Sequence, residues 1–177
     1  TNPSTGGARQ AFKDFYRMGS FTQGDTIPAP QRDSKRLMVV LHGLGDSMDG
    51  YRWLPSALYL PWLNYLLVNA PDPYYGGLAW FDFTGDRDIG MRRSRKLLFE
   101  LLDNLWTREF SPSSTMVFGF SQGSVMAIEV GARYTHLLAG LVGVSGFVHQ
   151  PETLLQELSP VARSQRFLLT HGTQDPL

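Results

Sequence analysis

Along this chain, short continuous apolar runs alternate with longer segments of helical period. Arg36 to Leu41 (RLMVVL) and Tyr65 to Asn69 (YLLVN) are unbroken and rich in β-branched or large aliphatic residues. That pattern suits strands buried on both faces. Thr115 onward (TMVFGF), Leu137 to Val144 and Arg166 to Thr170 (RFLLT) read the same way. Between them, Tyr51 to Leu60 predicts a short helix stopped by Pro61. Asp88 to Phe110 predicts a long one. Its Ile89, Leu97, Leu98, Leu101, Leu102, Leu105 and Trp106 are expected to form one apolar face. Asp86 or Asp88 suits its N-cap, and Ser111-Pro112 ends it. A helix follows Ser121 and ends near Tyr134; a short one covers Pro151 to Leu158. Strands of about five residues alternating with helices predict a parallel α/β architecture. An antiparallel edge strand or hairpin is expected within 11–35, and residues 1–10 (TNPSTGGARQ) read as a loose tail. Residues 11–177 read as a single domain.

The totals change this picture little. A chain of 177 residues suits one domain, and 42% hydrophobic with 18% charged residues is an ordinary globular balance. A formal net charge of 0 argues against a nucleic-acid or anionic-membrane partner held by charge. There is no Cys, hence no disulfide and no thiolate nucleophile. No apolar run reaches the roughly 18 residues of a membrane span. The chain starts at Thr1 rather than Met, so a removed signal stays open beside the expected cytoplasmic location.

Candidate chemistry gathers where the predicted strands end, the edge on which open α/β sheets place their sites. Gly119-Phe120-Ser121-Gln122-Gly123 lies between a strand and a helix. In that context G-x-S-x-G is a nucleophile elbow. Its turn strains the Ser, and its two Gly avoid a collision that a Cβ would make with the neighbouring strand or helix. Ser121 is therefore the candidate nucleophile. The candidate oxyanion donors are the backbone N–H of Gln122 and, from the His42-Gly43-Leu44-Gly45-Asp46 loop, that of Leu44. Asp175, after the last strand, is the candidate acid. None of His42, His136, His149 and His171 follows that acid, so no general base is visible. Trp80, Phe81, Phe147, Tyr74 and Tyr75 are candidates for an apolar acyl pocket. The basic cluster Arg92, Arg93, Arg95 and Lys96 reads as a solvated helix face, and Ala127 with Gly131 as close packing. No metal, nucleoside triphosphate or dinucleotide motif occurs, and no cofactor is expected.

Together LHGLGDS (41–47), AP with a following GG and AWFD (70–82), GFSQG (119–123), SGF (145–147) and HGTQDPL (171–177) resemble the carboxylesterase and acyl-protein thioesterase branch of the α/β-hydrolases. The resemblance runs from about residue 36 to the end. It implies an α/β-hydrolase fold, Ser121 as nucleophile, Asp175 as triad acid, Leu44 and Gln122 as oxyanion donors and Trp80 beside the acyl pocket. It implies cleavage of small carboxylic esters, with thioester or lysophospholipid cleavage as an alternative; the absent general base adds a non-catalytic binding role as a further one. It also implies a catalytic His a few tens of residues past the acid. The chain thus reads as truncated before that segment and inactive alone, with a C-terminal fragment of the same protein or a second copy as candidate partners. Met48 and Ser124 stand where the family often has Gly, and the 70–80 loop is short.

Overall fold

The computed structural model describes residues 23–176; the loose tail expected at 1–10 lies outside them, as do residues 11–22. Among the described residues eight strands are present: β1 (Gly24–Ile27), β2 (Arg36–Leu41), β3 (Leu63–Val68), β4 (Asp72–Tyr74), β5 (Gly77–Ala79), β6 (Thr115–Phe120), β7 (Gly140–Val144) and β8 (Phe167–Thr170). The helices are α1 (Leu54–Leu58), α2 (Arg87–Thr107), α3 (Gln122–Arg133) and α4 (Pro151–Gln156), with a 3-10 turn at Met48–Tyr51. Six strands form one sheet in the order β1-β3-β2-β6-β7-β8. β1 is the expected antiparallel edge strand; the other pairings are parallel. β4 and β5 form a separate antiparallel hairpin inside the segment expected to be loop.

The central strands are apolar on both faces because both faces are covered. Leu37, Val39 and Leu41 join Leu66, Val68, Val117 and Leu141 under α2 and α3, in the main core. Met38 and Val40 point the other way. They meet Tyr65, Leu67, Tyr51 and Leu54 in a smaller core. Beyond β6 this second face thins out. Met116, Phe118, Val142 and Val144 are only half-buried, and all four residues of β8 are exposed.

Several boundaries differ from the sequence reading. β3 begins at Leu63, not Tyr65, because Asn64 is a strand residue. Its buried amide accepts from Ala29 N–H and donates to the carbonyls of Ser34 and Arg36. β7 begins at Gly140 rather than Leu137, and α1 is shortened to five residues, ending at left-handed Tyr59. In α2, Ile89 is 68% exposed rather than part of the apolar face. It is nine residues from Leu98, which at 100° per residue is the opposite side of the helix. The buried face is Met91, Ser94, Leu98, Leu101, Leu102 and Leu105. Trp106 lies at its margin, edge-on to His136. Asp86 is the N-cap, its carboxylate accepting from the N–H groups of Asp88 and Ile89.

Candidate active site

β6 delivers Ser121 to the carboxyl edge of the sheet, and α3 starts at the next residue. Ser121 has φ +52° and ψ −117°, a conformation that side-chain-bearing residues rarely adopt. Such strain is of the order of 1–3 kcal/mol and persists only where the surroundings enforce it. Here they do. A Cβ on Gly119 would lie 2.1 Å from the Gly123 carbonyl oxygen, and one on Gly123 would lie 2.2 Å from that of Leu41. The two glycines let the strand, the turn and the helix come within backbone contact. The Ser121 N–H donates to Val144 O at 2.8 Å, and the Ser121 carbonyl accepts from Ser124 and Val125. Ser121 itself is half-buried, and among the described residues its hydroxyl makes no hydrogen bond.

The loop after β2 runs beside it. A Cβ on Gly43 would meet the Phe120 ring at 3.2 Å and Ser121 Cβ at 3.4 Å. Among the described residues, the backbone N–H groups of Leu44 and Gln122 donate to no acceptor. This leaves two N–H donors on the two segments that border the Ser. The loop is held from outside by the β4–β5 hairpin. Gly45 N–H donates to Leu78 O at 2.8 Å, and Leu78 N–H donates to Asp46 O at 3.0 Å. A Cβ on Gly77 would fall 2.0 Å from Gly45 O, so the two backbones touch.

His42 is fully buried and fully engaged. Its Nδ1 donates to Gly43 O at 2.7 Å, and its Nε2 accepts from Ala70 N–H at 3.0 Å. These partners fix a neutral tautomer, since an Nε2 that accepts carries no proton. Burial lowers its pKa, with smaller opposing effects from Gly43 and Asp46. The other histidines are also occupied. His136 packs on Trp106 and Tyr134, His149 bonds Asp88, and His171 Nε2 lies 3.4 Å from Asp175 Oδ2. None of the four bonds Ser121.

Asp175 follows β8, in a turn where its N–H donates to Gly172 O at 3.0 Å. With β7 between β6 and β8, Ser121 and Asp175 both follow the carboxyl ends of their strands, two strands apart in the sheet. Trp80 and Phe81 are placed differently from the expectation. Both are 0% exposed inside the main core, so neither presents a surface to a ligand. Their role is in the scaffold. The Gln122 side chain accepts from Trp80 N–H at 2.7 Å and donates to Phe81 O at 2.8 Å, and the Trp80 indole donates to His42 O at 2.9 Å. Sequence reading credited Gln122 with its N–H alone; nothing in GFSQG marks the side chain as a clamp. Phe147 is half-buried against the core, Tyr74 half-buried over Gly45, and Tyr75 exposed at the hairpin tip. The basic cluster on α2 is not an anion site but a set of ion pairs: Arg93 with Asp72, Arg95 with Glu129 and Lys96 with Glu100. Among the described residues, His, Asp and Glu side chains form no metal-binding cluster.

A hydroxyl, two unbonded N–H groups on the segments beside it and a carboxylate near the same sheet edge are the kinds of group that acyl transfer requires. Residues 22–177 match the Phospholipase/Carboxylesterase family. The chain belongs to that family. It is 30% identical over 153 residues to acyl-protein thioesterase 1 of Schizosaccharomyces pombe, covering 79% of this chain and 68% of that protein. With acyl-protein thioesterase 1 of Candida albicans it shares 31% over 173 residues, covering 85% and 75%. Among solved structures, that of esterase PE8 superposes with a TM-score of 0.71 at 31% identity, covering 85% of this chain and 74% of that one. The fold is thus of the α/β-hydrolase type. Among the described residues no helix is long and apolar enough to cross a membrane.

Proposed function

We propose that this family member is a serine hydrolase of carboxylic esters. The observation that carries the reading is Ser121, held at φ +52° beside two unbonded N–H donors. Ser121 Oγ attacks the acyl carbonyl. The Leu44 and Gln122 N–H groups receive the charge that develops on its oxygen, strongest at the tetrahedral stage. The base passes the Ser121 proton to the departing alkoxide, then takes one from a water that attacks the acyl carbon; the ester bond to Ser121 breaks, and the acid and the Ser121 hydroxyl are released. Asp175 orients the base that takes the Ser121 proton. His42, His136 and His149 are engaged elsewhere, and His171, though 3.4 Å from Asp175, makes no hydrogen bond to Ser121, so we assign the base to a His outside these 177 residues. Thioester cleavage uses the same steps with a thiolate leaving group, and the similarity to acyl-protein thioesterases favours including it.

The test is p-nitrophenyl butyrate hydrolysis by the intact protein, with fluorophosphonate labelling alongside. Ser121→Ala lowers kcat by about 10⁴-fold or more and abolishes labelling. Labelling that persists in Ser121→Ala overturns the assignment. Absent turnover in the unaltered intact protein favours a second reading, a non-catalytic binding protein. The engagement of all four histidines is the observation on that side.

A further inference from the structure

The loop that leaves β7 is strained at both ends. Ser145 has φ +53° and Gln150 φ +42°, and neither is Gly. A loop bent this way needs ties. At its start, Ser145 N–H donates to Thr170 O at 2.8 Å, and Gly146 sits so close to Ser124 that a Cβ there would lie 2.3 Å from the Ser124 hydroxyl. At its end the tie is one carboxylate from a distant element. His149 Nε2 lies 2.5 Å from Asp88 Oδ1, and Gln150 Nε2 lies 3.2 and 3.0 Å from the two Asp88 oxygens. An ionised carboxylate only accepts, so the His149 Nε2 carries the proton. Arg92, one turn along α2, adds a cation nearby, and Asp86 caps the Asp88 N–H.

Asp88 sits in the first turn of α2, just past the Trp80–Phe81 stretch that Gln122 clamps. The loop it holds follows Val144, whose carbonyl accepts from the Ser121 N–H. One side chain therefore joins the two segments that flank the start of α3. Phe83 on one and Phe147 on the other are both half-buried against the main core, and Val148 beside Phe147 is exposed. We propose that Asp88 is a positioning residue, which fixes the 145–150 loop against the 80–86 stretch and thereby sets the acyl-chain length the site accepts. This rests on the hydrolase reading and adds a determinant of specificity to it.

The test uses the intact protein, Asp88→Ala, Asp88→Asn and the Ser121→Ala control. Substrates are p-nitrophenyl esters from acetate to decanoate. In Asp88→Ala the octanoate-to-acetate ratio of kcat/KM shifts by about fivefold or more, chiefly through KM, the size of effect that a few misplaced apolar contacts produce. Asp88→Asn, which keeps an oxygen to accept from His149, falls between. Hydrogen exchange of the 145–150 amides, which needs no turnover, speeds up in Asp88→Ala. Unchanged exchange overturns the proposal. So does faster exchange with an unaltered chain-length profile, or an equal loss at every length, which marks a merely structural role. If the unaltered protein cleaves none of these esters, the hydrolase reading fails and takes this inference with it. Cleavage that Ser121→Ala abolishes, with a profile indifferent to Asp88, defeats this inference alone.

Discussion

Ser121 was legible from the sequence because its glycines are forced. The 2.1 and 2.2 Å approaches at Gly119 and Gly123 leave no room for any other residue, so the backbone geometry writes itself into the spacing. Ser124 is the opposite case. Its hydroxyl is buried and among the described residues has no hydrogen-bond partner, and it lies close to Gly143 and Gly146. Nothing in the sequence announces an unpartnered hydroxyl, because its state depends on what β7 brings near it. An unsatisfied buried hydroxyl costs about 1–3 kcal/mol. Ser124→Ala is therefore expected to hold or raise the urea unfolding midpoint. A loss of more than about 1 kcal/mol would show that the hydroxyl has a partner in solution. Trp80 and Phe81 were misread for a related reason: aromatic residues in a Pro/Gly-rich stretch look available to a ligand, yet Gln122 and His42 draw their backbone and indole inward.

Element by element, strands buried on both faces announced themselves through unbroken apolar runs, whereas β4 and β5 did not. At three residues each, carrying Pro73 and flanking Gly76 and Gly77, they offer no periodicity to read. The packing of α2 against α3 rests partly on charge. Glu129, 3% exposed, takes one hydrogen bond from Arg95 on α2 and one from Arg133 on α3, at 2.8 and 2.7 Å. Arg133 also reaches Glu157, just past α4, at 2.7 Å. Removing the shared carboxylate takes away the Arg95 partner and leaves Arg133 with Glu157 alone. Glu129→Ala is expected to cost about 3–5 kcal/mol in urea unfolding, the cost of an uncompensated buried charge. Surface pairs are worth far less: Lys96→Ala, which breaks only the exposed pair with Glu100, is expected to change stability by under about 0.5 kcal/mol. Gly131 shows what the four-residue spacing with Ala127 was for. A Cβ there would lie 2.4 Å from the Phe167 ring, so the glycine lets β8 approach α3.

For the whole molecule, two properties follow from how charge and apolar surface are distributed. Asp82 is held below the usual carboxylate range by Thr84, Asp88 by His149 and Gln150, and Glu157 by Arg133. Each binds its proton less readily folded than unfolded. Their contribution is complete above the ordinary carboxylate values of about 4 and drains away as pH falls through the lower folded values. The thermal midpoint is expected to be insensitive to these three groups between about pH 7 and 5 and to fall below about pH 4, less steeply in Asp88→Asn. The second property is the thin face beyond β6, with Leu168 60% and Leu169 56% exposed on an edge strand. Exposed apolar edges pair with other chains. The 177-residue chain is expected to self-associate as concentration rises, and Leu168→Lys to suppress this in light scattering. The general layout was readable because α/β order follows from alternating patterns. An exposed edge at β8 was expected only from the reading of the chain as truncated, because burial depends on which neighbours are present rather than on a strand's own residues. The hairpin that grips the loop after β2 carries a last consequence, for the exchange of parts between relatives. Gly77 and Gly45 touch backbone to backbone, and Gly45 and Leu78 are bonded across the same seam. The two stretches therefore form a single inheritable cassette: a chimaera that swaps 42–47 without 72–79 mismatches the seam, whereas one that moves both together keeps its donors in place.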